Sequence, residues 1–298
     1  MLYRAIGADG VSRLGYAASS DGKHFEKKSS KPAFSFSLVT KPGASPTLSI
    51  AHLLGTSGGS WAGCEDPRMV AIGDRIYLTF LAFNGWSSAR VALTSIALDD
   101  FLKRRWKWKK PVMISPPWEV NKNWVLFPEK IKGKFAILHS ISPKILIDYF
   151  DSFDTFNEKH FIHSTYHKSG RKGSWDSWIR GAGPPPIKTK YGWLLLYHAM
   201  DARDPGRYKL GAMLLDLKNP TKILHRSNEP ILEPDAIYEN NGFKGGVIYS
   251  CGAVVAGATL YVYYGAADSV VCVATANLQK LLDDLIAEKK PHLTPVRL

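Results

Sequence analysis

A chain of 298 residues with 45% hydrophobic content can bury the core of one large β domain, and no apolar run approaches the roughly 20 residues that a membrane-spanning helix needs. The formal charge of +13, from 39 basic and 26 acidic residues, favours anionic partners such as phosphate or phosphorylated sugars without choosing among them. Three cysteines, Cys64, Cys251 and Cys272, are too few and too irregular for a disulfide framework, and no apolar stretch follows a basic head at the start, so a soluble, cytoplasmic protein is expected.

In chain order, the first apolar run is MLYRAIG, which carries the small residue Ala5 and is followed by SRLGYAA. The same unit recurs as YLTFLAF with Ala82 before ARVALTSI, and as FAILHSI with Ser140 before KILIDYF. It recurs again as WLLLYHAM with Ala199 before YKLGAMLLDL, and as LYVYYGAAD with Ala266 before VVCVATA. Each pair reads as two strands joined by turn residues. Antiparallel units recurring about every 60 residues predict propeller blades, which bury their faces on one another. The expected fold is therefore all-β, a five-bladed β-propeller, as a single domain over residues 1–298; a β-sandwich is the alternative that the repeat leaves open. A short C-terminal helix is predicted from Leu278. There Leu278, Leu281, Leu282, Leu285 and Ile286 share one face, Asn277 can cap it and Pro291 stops it.

Between the first two units lies WAGCEDPRM, residues 61–69. On an extended strand Glu65 and Asp66 point to opposite faces, so they do not form a dyad, and Arg68 falls on the side of Asp66, where it can tune the acid or bind substrate. A turn salt bridge is the simpler reading. Cations recur at similar places: Arg4, His139 and His198 each precede the small residue of their run, and Lys130 and Arg180 lie in FPEKIKGK and WIRGAGPPP. Strands converging on one axis would bring these groups into an oxyanion or phosphate site, whereas each alone reads as a surface charge or a core histidine. Trp61, Trp86, Trp124 and Trp193 suit sugar stacking, and apolar packing explains them equally well. His160, His163 and His167 have helix-like spacing in a β-prone segment, so no metal site is expected. In KRRWKWKK, residues 103–110, Trp106 and Trp108 alternate with cations. That pattern fits a nucleic-acid platform, but an edge strand protected by its lysines explains it more simply, and neither nucleic acid nor membrane is expected as a partner.

GCEDPR, NWVLFPEKIKGKFAILHS, GAGPPPIKTKYGWLLLYHAMD, YKLGAMLLDLKNP, PILEP and YVYYGAAD occur in that order over most of the chain. Together they resemble glycoside hydrolase family 130, the β-mannoside phosphorylases and related β-mannosidases, whose fold is a five-bladed propeller. The resemblance implies that Asp66 is the general acid, protonating the leaving oxygen through a sugar hydroxyl. Phosphate would attack the anomeric carbon from the opposite face and release mannose 1-phosphate. A phosphorylase needs no base carboxylate, but it does need groups that hold the anion in line. By resemblance Lys130 and His198 are phosphate-binding, and the strand argument adds Arg180 and Arg4. Tyr208 joins them, Asp268 resembles a sugar-binding acid, and Glu65 and Arg68 support Asp66 and the mannose hydroxyls.

The implied partners are a β-manno-oligosaccharide, with β-1,2 linkages favoured, and inorganic phosphate as co-substrate, with no other cofactor. Assembly into a homo-oligomer is compatible with the sequence. Two departures keep other readings open. His139-Ser140 stands where many phosphorylases of the family have His-Arg. The stretch that builds the first blade in the family is also missing ahead of LYRA, so the first blade is expected to be incomplete. The alternatives are an inverting β-mannosidase, with Glu129, Asp201 or Glu239 as base, and a sugar-binding propeller without catalysis.

Overall fold

Strands begin where β-branched and aromatic residues alternate and end at glycine, asparagine or aspartate turns, and this pattern runs through nearly the whole molecule. The computed structural model describes residues 1–27, 29–36, 59–83, 89–157, 159–164 and 169–296. The chain divides into two units, Met1–Lys122 with Ser152–Ser164, and Asn123–Asp151 with Thr165–Leu298.

In the first unit, β1 (Leu2–Ile6), β2 (Val11–Ala18), β3 (Glu26–Lys27), β4 (Ala62–Ile72), β5 (Arg75–Phe83), β6 (Arg90–Ala97) and β7 (Val112–Met113) form one seven-stranded sheet. Helix α1 (Leu98–Leu102) follows β6. Among the described residues the second unit carries three sheets. Strands β8 (Val125–Leu126), β9 (Phe135–Ser140) and β10 (Leu146–Phe150) make the first. The next contains β11 (Trp178–Ala182), β12 (Ile187–Lys188), β13 (Trp193–Met200), β14 (Lys209–Leu215) and β15 (Ile223–Arg226). The short helix α2 (Ile237–Asn240) leads into the last, built from β16 (Ile248–Ala256), β17 (Thr259–Ala266), β18 (Val270–Asn277) and β19 (Thr294–Pro295), with α3 (Leu278–Ile286) between the final two strands.

The fold is all-β and propeller-like, with few helices. All five expected hairpins are present as antiparallel pairs: β1–β2, β5–β6, β9–β10, β13–β14 and β17–β18. They lie in four sheets, however, which corrects the expectation of five blades. The cause is a short parallel bridge, Val11↔Ala62 and Ser12↔Gly63, that fuses the first hairpin to β4. Of the five small residues, Ala82, Ser140, Ala199 and Ala266 are buried, while Ala5, in the fused hairpin, is exposed.

The bridge depends on Gly63. Its φ is +113°, and a Cβ there would lie 2.1 Å from the Ser12 carbonyl oxygen. Gly63→Ala is therefore expected to lower stability by about 2–3 kcal/mol, from backbone strain plus steric overlap, as read by urea denaturation. A midpoint unchanged from wild type would show that the two strands separate without loss.

Strand β13 is buried along its whole length, as its unbroken apolar sequence requires of a strand covered on both faces. Leu194 and Leu196 pack with Leu210, Leu214, Ile248, Val262 and Leu281, whereas Trp193, Leu195, Tyr197 and Ala199 pack with Val125, Phe127 and Leu138. By contrast β17 alternates, burying Leu260, Val262, Tyr264 and Ala266 and leaving the residues between them partly exposed. The predicted helix α3 forms as expected: Asn277 Oδ1 accepts from the Lys280 amide at 2.9 Å, and Leu281, Leu282 and Leu285 are buried. It stops at Ile286, ahead of Pro291, with Glu288 in the left-handed region at φ +55°. Among the described residues, no helix is long and apolar enough to cross a membrane.

Candidate active site

In the first unit the acidic pair lies on β4, at a break in the ladder with β5. Glu65 pairs with Leu81 and Arg68 with Thr79, so Asp66 and Pro67 together face the single residue between those partners. This is a β-bulge, and Asp66 sits in it at φ +52°. A residue before proline ordinarily takes extended backbone, so this conformation is doubly unfavoured. Aspartate tolerates it better than most, and proline at a bulge forfeits no ladder hydrogen bond. The strict alternation expected for an extended strand is therefore corrected. The bulge leaves Asp66 half-buried while Glu65 and Arg68 on either side are buried, and Arg68 Nη1 donates to the Asp66 backbone oxygen at 2.9 Å.

Glu65 has a built surround. Its Oε1 accepts from Ser60 Oγ at 2.7 Å and from Arg4 Nη2 at 3.1 Å. Arg4 also donates from Nη2 to Ser60 Oγ at 3.0 Å and from Nε to Ser12 Oγ at 2.7 Å. Opposite charge and hydrogen bonds are what a buried carboxylate requires. Three of the N–H groups on Arg4 thus hold Glu65 and its neighbours, which gives this arginine a supporting contact that the sequence reading did not foresee. Burial pushes the adjacent Cys64 thiol up to about 12, so that cysteine is a buried neutral group rather than a nucleophile.

In the second unit the centre is His198, fully buried on the Leu194–Leu196 face of β13. The Ser250 backbone N–H donates to its Nε2 at 2.8 Å. A backbone amide can only donate, so Nε2 carries the lone pair and the ring is neutral with its proton on Nδ1. His198 therefore presents an oriented N–H rather than a fixed positive charge. Its ring lies parallel on Tyr249, with centroids 4.2 Å apart and planes 6° from parallel. The Tyr249 hydroxyl donates to Asn123 Oδ1, and Asn123 Nδ2 donates to the Arg180 carbonyl at 2.7 Å. The Arg180 guanidinium lies 5.3 Å over the Tyr208 ring, which is tilted against Tyr249 at 6.4 Å.

Arg180, His198 and Tyr208 are thus brought together. Lys130 is exposed over the Phe135 ring at 4.5 Å, and Asp268, at φ +50° in the β17–β18 turn, faces Lys244 Nζ at 3.6 Å. The cluster also contains Asn123 and Tyr249, which the sequence reading missed. The nearest signal was Asn123 itself, one of the few residue types that tolerate positive φ.

Several other readings change on contact with the structure. Trp124 and Trp193 are buried and pack against His139 and Phe127, so they are core residues rather than stacking platforms; Trp86 lies outside the described residues. Trp61 donates from Nε1 to the Asp9 carbonyl at 2.7 Å. Residues 103–110 are not a strand: they trail from α1, with Trp106 and Trp108 packed among Tyr16, Phe34 and Phe101. His160 is exposed beside Asn157, and His167 lies outside the described residues. Among the described residues, no group of three or more metal-ligating side chains comes together.

The carboxylates weighed as hydrolytic bases are each engaged. Glu129 pairs with Lys188 at 2.6 Å. Asp201 pairs with Arg203 at 2.6 Å, and the hydrogen bond from that guanidinium lowers its carboxyl to about 2. Glu239 is fully buried, accepting from the amides of Asp235 and Ala236 at 2.8 Å and from the Tyr264 hydroxyl at 2.7 Å.

A family model described as beta-1,4-mannooligosaccharide phosphorylase matches residues 49–287. The 1,2-beta-oligomannan phosphorylase of Thermoanaerobacter sp. strain X514 is 38% identical over 277 residues, covering 91% of this chain and 80% of that protein. The beta-1,2-mannobiose phosphorylase of the same organism is 36% identical over 273 residues, covering 91% and 79%. The solved beta-1,2-mannobiose phosphorylase of Listeria innocua, in complex with beta-1,2-mannobiose, superposes with a TM-score of 0.68 at 31% identity, covering 93% of this chain and 70% of that one.

Proposed function

We propose, for a chain that belongs to glycoside hydrolase family 130, inverting phosphorolysis of β-linked mannosides with release of mannose 1-phosphate. Asp66 is the general acid in this reading. A phosphate oxygen forms a bond to the anomeric carbon as the bond from that carbon to the leaving oxygen breaks. The proton on the Asp66 carboxyl passes, through a mannose hydroxyl, to the leaving oxygen, and solvent reprotonates Asp66 before the next turnover. Arg180, His198, Tyr208, Lys130 and Arg4 are assigned to the phosphate, and Glu65, Arg68 and Asp268 to the sugar and to the support of Asp66. Inorganic phosphate is the co-substrate, and no other cofactor is proposed.

Phosphorolysis is favoured over hydrolysis by the two relatives at 36–38% identity, both named phosphorylases; of the three carboxylates weighed as base, Glu239 is fully buried, and Glu129 and Asp201 stand in ion pairs at the surface. Phosphate arrives ionised and needs no base, only oriented donors and cations, and the Arg180–His198–Tyr208 cluster is of that kind. The bulge at Asp66 supports the acid assignment, because strained backbone at a half-exposed carboxylate is retained where a group must be aimed.

For the linkage we favour β-1,2. The two relatives at 36–38% identity carry that linkage in their names, and so does the solved neighbour, although the family as a whole is described by β-1,4 substrates. The test is product analysis on β-1,2-mannobiose with and without inorganic phosphate. Mannose 1-phosphate formed only in the presence of phosphate is the expected result. Free mannose, released at a rate indifferent to phosphate, would replace this reading with a hydrolase, and turnover of β-1,4-mannobiose alone would replace the linkage.

A further inference from the structure

We infer that Tyr249 and Asn123 are positioning residues for phosphate, fixing His198 and Arg180 as one unit; this rests on the phosphorolysis reading above. Three contacts run through the pair, beside one from the neighbouring Ser250. Ser250, the next residue after Tyr249 on β16, fixes the His198 ring through its amide at 2.8 Å. Tyr249 itself covers one face of that ring at 4.2 Å. Its hydroxyl is held by Asn123 Oδ1, and the other end of the same amide holds the Arg180 carbonyl at 2.7 Å. One asparagine thus ties together β11, which carries Arg180, and β16, which orients His198 on β13.

The backbone on both sides of this link lies at positive φ. Asn123 stands at φ +63°. Opposite it Gly181 stands at φ +126°, where a Cβ would meet Asn123 Cβ at 2.7 Å. The residue after Arg180 must be glycine for the asparagine to approach. A non-glycine residue held at positive φ, as Asn123 is, is the kind of cost that persists where a side chain has to be aimed.

The chemistry that follows is specific. With Nε2 occupied by Ser250, the only proton His198 can offer is on Nδ1, and its direction is set by the ring plane. The stacked Tyr249 ring sets that plane. The tether through Asn123 sets Tyr249. The same tether fixes the main chain from which the Arg180 side chain leaves. Loosening it should therefore cost phosphate affinity while sparing the mannoside.

Two variants test this without removing either phosphate group. Tyr249→Phe keeps the stacked ring and deletes the hydroxyl. Asn123→Gly keeps a residue that adopts positive φ freely and deletes the amide. Steady-state rates are measured with β-1,2-mannobiose and inorganic phosphate varied independently, alongside thermal melts of each variant. The expected result is a rise of about tenfold in the phosphate KM of both variants, with the mannobiose KM within twofold of wild type and the melting temperature of Tyr249→Phe unchanged. If the wild type makes mannose 1-phosphate while both variants keep its phosphate KM within twofold, the positioning role falls and the phosphorolysis reading stands. A wild type that yields only free mannose overturns both.

Discussion

Replacing Asp66 by asparagine should reduce turnover of β-mannoside by at least about a thousandfold while leaving sugar binding largely intact. The magnitude follows from the role: a positioned proton donor contributes about 10²–10⁴ in rate, and asparagine cannot give up a proton to a leaving alkoxide. The structure makes this substitution unusually clean. The main hazard at position 66 is the positive φ of +52° ahead of Pro67, and asparagine tolerates left-handed backbone as well as aspartate does. The bulge, the Arg68 contact to the residue 66 carbonyl and the buried Glu65–Arg4 pair should all survive. The measurement is kcat with and without phosphate, with mannobiose binding followed by calorimetry. Activity within tenfold of wild type would remove Asp66 as the acid. Loss of sugar binding together with activity would show instead that the carboxylate mainly holds the sugar.

The largest stability effect is expected at Asp176, two residues before β11 and fully buried. Its carboxylate accepts from Arg171 Nε at 3.0 and 3.2 Å, from the Tyr197 hydroxyl at 2.8 Å and from Arg226 Nη2. Arg226 Nε also donates to the Tyr197 oxygen at 3.1 Å, and Arg171 Nη2 to the Ser227 carbonyl at 2.7 Å. Removing the one anion leaves two guanidinium groups facing each other beside a buried phenol. Breaking a buried ion pair in this way costs about 3–5 kcal/mol, and the partial exposure of both arginines places Asp176→Ala near the lower end. A fall in Tm of about 10 °C is expected by calorimetry, with Asp176→Asn falling about half as far because the amide retains some of the hydrogen bonds. A Tm within 2 °C of wild type, a margin of about 1 kcal/mol, would mean that water replaces the carboxylate at no cost. The site is coupled to this anchor by chain neighbours: Tyr197 precedes His198, and β11 carries Arg180.

The hairpins were legible because each depends on local information, an apolar run of period two closed by a turn. Helix α3 was legible for the same reason, since Asn277 and the leucine spacing lie within one short stretch. The sheet count was not. It turns on a two-residue bridge between strands some 50 residues apart, made possible by a glycine with no side chain to obstruct it. The EDPR segment was recognised, but its geometry was misread, because the preference of a residue before proline argues against the backbone that Asp66 adopts. His198 was found by its place in the repeat. Its neutral form depends on an amide 52 residues away, which no pattern near His198 records. For Trp124 and Trp193 stacking and core packing stood equally open, since composition cannot say which side chains meet solvent, and both are buried.

Strand β13 is covered on both faces by side chains from the sheets beside it, and it carries His198 near its end. A strand in that position cannot loosen by itself, because freeing either face exposes a core shared with another sheet. Its amides should exchange with solvent only through opening of the whole second unit, unlike the amides of loops and edge strands. The histidine's alignment and the survival of that unit are then one quantity, so a substitution that softens the core far from the site also blurs the aim of its proton.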